Sequence, residues 1–153
     1  MLYFKTQTNQ IGYLASEDLL PQGSTLISYQ ELEDIKNPPN LNAEKAQKVQ
    51  EIENQRDKVC TQNVQALSRV WQADKRSQEL VGQSITLAQA GLPLPATWRD
   101  YNNNDMTITS INDLLAIGGA MATQTQSAYS TSWARKASIN TATTIQGIRS
   151  IIW

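Results

Sequence analysis

The sequence predicts an α+β fold: a small β-rich N-terminal module over residues 1–37, a linker and amphipathic helix over 38–62, and a mainly helical C-terminal α+β domain over 63–153 with one or two β-hairpins. Three observations predict it. Aromatic and β-branched residues dominate the opening LYFKTQTNQIGYLA. Apolar positions then recur with a helical period in several later stretches. Proline-bearing breaks at Asn37-Pro38-Pro39 and at Pro93 and Pro95 separate the pieces.

Residues 2–15 read as two short strands around the turn signal Asn9-Gln10-Ile11-Gly12, and Pro21-Gln22-Gly23 is a second turn. Thr25-Leu26-Ile27 adds a third strand. Ser28-Tyr29-Gln30-Glu31 has the spacing of a capping box, in which the serine oxygen and the glutamate satisfy free amides at a helix start. That helix is brief, because Asn37-Pro38-Pro39 ends it. Some forty residues of this kind bury too little surface to stand alone.

Pro38 to Asn42 reads as a linker, and the stretch from Ala43 to about Thr61 as a helix. Ala46, Val49, Ile52, Val59 and Cys60 form one narrow apolar stripe, with Glu44 and Lys48 four residues apart on the wet side. A stripe so narrow needs a partner, either another helix of this chain or the same helix of a second copy. A homo-oligomer through residues 43–61 is therefore one expectation. The next segment is ambiguous: propensity lets the helix continue, while Val64, Val70 and Trp71 around Ser68-Arg69 equally suit a tight hairpin. Asp74 or Ser77 then starts a helix whose positions Leu80, Val81, Ser84, Ile85 and Ala88 keep a 3.6-residue period up to Gly91.

In WRDYNNNDMTI, Asp100, Asn102 and Asn104 alternate as a calcium loop begins. Such a loop needs glycine at its sixth position and a bidentate glutamate at its twelfth, and here those places hold Asp105 and Ile111. A hairpin is the expectation instead, because Asn and Asp tolerate left-handed backbone angles. Ser110 and Asp113 suit the start of the next helix, with Ile111, Leu114, Leu115, Gly118, Met121, Ala122, Tyr129 and Trp133 on one face. Gly118-Gly119 in mid-helix indicates close packing or a kink. From Ala120 to Ala134 no charge occurs. Thr143-Thr144-Ile145-Gln146 repeats the capping spacing, and Ile139, Ala142, Ile145, Ile148 and Ile152 line a last face that ends at Trp153.

Composition narrows the function. A net charge of −1 from 13 basic and 14 acidic residues gives no field for nucleic acid or an anionic membrane. With no histidine and only Cys60, the usual zinc site, an internal disulfide and every Ser-His or Cys-His couple are excluded, and no catalytic residue, cofactor or metal site is expected. Cys60 reads as a small core hydrophobe. MLYFKTQTNQ lacks the marks of a secretory signal, and no apolar run approaches the roughly 20 residues of a membrane span. Synthesis and folding in a cytoplasm are expected.

The succession ENQRDKV, WQADKRSQELVGQSITLA, ATWRDYNNNDMTITSINDLLAI and ASINTATTIQGIRSIIW resembles the C-terminal domain of many phage tail-fibre assembly proteins. The matching positions are Trp71, Ala73, Asp74 and Ser77, then Trp98, Asn102 to Asp105, and Ser110. MLYFKTQTNQIGYLA and LLPQGSTLISYQELEDIKNPP are similar to the N-terminal module of the same proteins. The resemblance implies a hairpin at Val64–Ala73. It also implies a non-enzymatic chaperone that binds the distal part of a trimeric tail fibre or tailspike in the host cytoplasm, with retention on the virion in some cases. Trp71, Trp98, Tyr101 and Met106, near the two hairpins, are the expected partner-binding anchors. Two other readings compete: a structural part of the tail tip or baseplate that takes part in host attachment, and a small hydrolase using Asp100 and Asp105.

Overall fold

Strands β1 (Leu2–Lys5) and β2 (Ile11–Leu14) pair antiparallel, with Tyr3 opposite Tyr13 and Phe4 opposite Gly12, in a computed structural model that describes residues 1–153. The turn between them lies earlier than Asn9-Gln10-Ile11-Gly12. Thr6 donates to the Gln10 carbonyl at 2.8 Å, and Asn9 takes the left-handed angle, φ 61°. Gly12 is a strand residue because the end of the Phe4 ring lies against it: a β-carbon there would overlap Phe4 Cζ and Cε1. Strand β3 (Thr25–Ile27) pairs with the other edge of β1, giving the order β2-β1-β3. Helix α1 (Tyr29–Lys36) starts on the Ser28–Glu31 capping box, its Glu31 amide 3.1 Å from Ser28 Oγ. These elements belong to a first compact unit, Met1–Glu44.

The second unit runs from Lys45 to Trp153 and takes up inside helix α2 (Leu41–Cys60). That helix begins two residues before Ala43, because the Asn40 side chain accepts from the Asn42 and Ala43 amides and turns the supposed linker into a cap. Strands β4 (Val64–Ala66) and β5 (Arg69–Trp71) form a hairpin and settle the ambiguous segment. Its two-residue loop, Leu67-Ser68, has φ 52° and 58°. Positive angles at both centres are what a tight antiparallel turn requires.

Asp74 then caps helix α3 (Lys75–Gln89) through the Ser77 amide at 3.1 Å, and Gly91 at φ 84° follows its end. Strands β6 (Thr97–Arg99) and β7 (Asp105–Thr107) make the Asn-rich hairpin, with Trp98 opposite Met106. Helix α4 (Ile111–Thr141) is the spine of the unit; Asp113 holds its start by accepting from the Thr109 and Ser110 amides. Gly118 is there for close packing, since a β-carbon would meet Ile85 Cδ1 at 3.1 Å and Val81 Cγ1 at 3.2 Å, both on α3. Helix α5 (Ile145–Arg149), capped by Thr144, is a single short turn. It stops before Ile152, which is exposed rather than part of an apolar face, while Ile139 and Ile148 are buried.

The core of this unit gathers Val64, Trp71, Ala73, Val81, Ile117 and Met121 from the first hairpin, α3 and α4. Helix accounts for 54% of the residues and strand for 15%, so the fold is α+β, with the strands confined to one small sheet and two hairpins. No helix is long and apolar enough to cross a membrane.

Candidate binding surface

The Asn-rich loop is built around one carboxylate. Asp100 Oδ1 accepts from the Asn102 and Asn104 amides, both at 2.9 Å, and Oδ2 accepts from Arg69 Nη1 at 2.8 Å. Arg69 belongs to the other hairpin, and the Tyr101 amide also donates to the Val70 carbonyl at 2.9 Å, so the second hairpin hangs on the edge of the first. The Asn104 amide, then Arg69 and the Asn102 amide, hold the 5%-exposed Asp100 carboxyl below the ordinary aspartate range against the upward push of burial. Across the loop mouth, Arg99 grips Asp105 at 2.8 and 3.1 Å and lowers its pKa as well.

This geometry decides what the acidic pair can do. General acid work near neutrality calls for a raised carboxyl pKa, and both shifts run downward. The oxygens of Asp100 are already engaged by amides and a guanidinium, and no group of three His, Cys, Asp or Glu side chains comes together to hold a metal ion.

The expected anchors separate into two kinds. Trp71 is 1% exposed, its indole donating to the Ala66 carbonyl at 2.8 Å, so it anchors the unit's own core and offers no surface to a partner. Trp98 and Met106 face each other across the hairpin and are half-buried against that core. Tyr101 stands clear at the loop, 51% exposed.

The narrow stripe of α2 is covered from within the chain. Lys45 Nζ reaches the Asn140 carbonyl at 2.7 Å, Lys136 meets Glu53 at 3.0 Å, and Gln124 donates to the Val59 and Gln62 carbonyls at 2.8 and 2.7 Å. The Arg56 guanidinium lies 4.9 Å from the centre of the Tyr129 ring. All five contacts join α2, or the turn that follows it, to α4. Ile52 is the buried centre of the stripe, Ala46 lies outside it, and Cys60 is half-buried.

A further exposed surface lies on α3 and α4. Between α3 and α4 runs an open groove of about 770 Å³, floored by Val81, Gly118 and Met121 and walled by Leu115, Tyr129 and Trp133. Trp133 is 61% exposed and packs edge-on against Tyr129 at 6.0 Å, and none of the groove's lining residues is charged. The sequence places Leu115, Ala122, Tyr129 and Trp133 on the same face as Leu114 and Met121. The structure divides that face: Leu114, Ile117 and Met121 go inside, and the flank through Leu115, Ala122, Tyr129 and Trp133 stays out. A lack of charge over residues 114–134 was the available signal, since an ordinary exposed helix carries charges on its wet side.

Residues 43–151 match the family described as Domain of unknown function (DUF4376), and the chain belongs to that family. No curated protein matches the chain, and no solved structure does.

Proposed function

We propose that this chain is a phage tail-fibre assembly chaperone, a non-enzymatic protein of the host cytoplasm that covers the distal part of a trimeric fibre or tailspike while its chains register. The reading rests on the resemblance carried by WQADKRSQELVGQSITLA and ATWRDYNNNDMTITSINDLLAI, and on one structural observation. The second unit presents Tyr101, 51% exposed, at the tip of a hairpin whose carboxylates are tied to amides and guanidinium groups.

Such a surface suits the task. Intertwined fibres expose strand edges and apolar area before they close, and these aggregate unless covered. Covering them requires contact area and a few aromatic anchors, with no bond made or broken. Tyr101, beside the half-buried Trp98 and Met106, is the anchor we assign to the fibre.

Co-expression with the C-terminal half of a tail fibre from the same genome tests the reading. Soluble trimeric fibre should appear with this chain and aggregate without it, and Tyr101→Ala should lower the soluble yield. Equal fibre yield with and without the chain would remove the proposal. Mass spectrometry of washed particles then separates a chaperone that leaves from a component that stays.

A further inference from the structure

We propose that the groove between α3 and α4 seats a second copy of this chain, the two α4 helices running antiparallel about a two-fold axis. The inference goes beyond the fibre reading and does not depend on it. It starts from six groove-lining positions of α4: Leu115, Gly119, Ala122, Gln126, Tyr129 and Trp133. Their separations alternate between four and three residues, the 3.5-residue period that keeps one seam of a helix facing a neighbouring helix. Intervals that alternate in this way read the same in both directions, so an antiparallel copy stays in register along the whole seam.

Side-chain size then chooses the orientation. Antiparallel pairing sets Leu115 against the partner's Trp133, Gly119 against the partner's Tyr129, and Ala122 against the partner's Gln126. Every large residue meets a smaller one. Parallel pairing would set Trp133 on Trp133 and leave Gly119 facing Gly119 across a void. The room exists where the aromatic knobs must enter: a β-carbon at Gly119, or at Gly82 on the opposite wall, has nothing within 4 Å.

Charge and area agree with this occupant. Residues 114–134 carry no charge, and Arg56, which stands over the Tyr129 ring, is paired with Asp57 at 2.8 Å, so the seam presents no unpaired charge to its own image. At 1.5 Å rise per residue the seam is about 27 Å long, and two helices side by side are about 20 Å wide. That patch is of the same order as the roughly 800 Å² per partner of a standard stable interface. The contact is isologous and closes on itself, giving a dimer and no filament. The stripe of α2 is left out, because α4 already covers it.

Sedimentation equilibrium of the full chain, without any fibre, decides the matter. The wild type should form dimers at about 50 µM, with no loss between about 50 and 500 mM salt, because an uncharged seam has nothing to screen. Gly119→Arg should keep its helical circular dichroism, since the site is open in the monomer, yet weaken self-association at least about tenfold. Trp133→Glu should do the same from the other end. If Gly119→Arg loses helical signal, Gly82→Arg repeats the test across the groove. A monomeric wild type, or a dimer untouched by these substitutions, overturns the proposal. The fibre reading is judged separately by co-expression, so the two fail independently.

Discussion

The two hairpins of the second unit reverse the chain by opposite routes. In β6–β7 the turn is made by its own residues: Asp100 collects two loop amides, and Asn103 takes the left-handed angle at φ 62°. In β4–β5 the loop residues are Leu67 and Ser68, neither suited to φ above zero, and both adopt it. For ordinary L-residues that conformation costs roughly 1–2 kcal/mol each. The difference is made up at the strand, where Trp71 is sunk in the core opposite Val64. One hairpin is shaped by local chemistry, and the other is held against its local preference by packing.

Breaking the packing should have the largest effect. Trp71→Ala should lower the stability of the second unit by about 3–5 kcal/mol, because it opens a cavity and leaves the Ala66 carbonyl without its donor. Urea unfolding followed by tryptophan fluorescence measures this. Trp71, Trp98, Trp133 and Trp153 all lie beyond residue 44, so the signal reports the second unit alone.

Relieving the turn should act in the opposite direction. Leu67→Asn combined with Ser68→Gly should raise stability by roughly 1–2 kcal/mol in the same assay, since both new residues accept the left-handed region. The corresponding change in the second hairpin is smaller. Asn103→Ala should cost about 0.5–1 kcal/mol, read as a shift in the urea midpoint. A double substitution at Leu67 and Ser68 that destabilises would contradict the account of the first hairpin.

Acid sharpens the contrast most gently. The folded pKa of Asp100 lies below its ordinary value, so its stabilising contribution is complete above that value and is lost as pH falls through the lowered folded one. Asp105 behaves in the same direction, while residues 64–71 contain no carboxylate. On acidification the Asn102 and Asn104 amides should lose hydrogen-exchange protection before strand β4 does. Asp100→Asn should flatten the acid limb of the melting temperature. Equal acid sensitivity in both hairpins would count against the assignment.

The same contrast explains what could be read in advance. Asn102 to Asn104 announce a turn because their side chains favour one, and Ser28, Asp74 and Asp113 announce helix starts because capping is local. Leu67-Ser68 carries no turn signal, so the residues alone leave helix and hairpin open there, and only the family resemblance favours the hairpin. Gly12 looked like a turn residue, when its role is to receive the Phe4 ring. On α4 two adjacent apolar stripes exist, and periodicity does not say which one faces inward. That decision came from α3, whose Val81 and Ile85 close on Gly118. Among the candidate surface residues, Tyr101 was legible beside its loop, whereas the groove is a property of two helices together, and the uncharged run over residues 114–134 marks only its α4 side.

The manner in which β6–β7 hangs on β5 has a further consequence. Its links to the neighbouring strand, from Tyr101 to Val70 and from Asp100 to Arg69, sit at the tip of the hairpin, one short strand beyond the connection that leads out of α3. The stretch from Leu92 to Pro95 contributes to neither link. A chain cut in that stretch should therefore keep β6–β7 clasped to β5 through these two links.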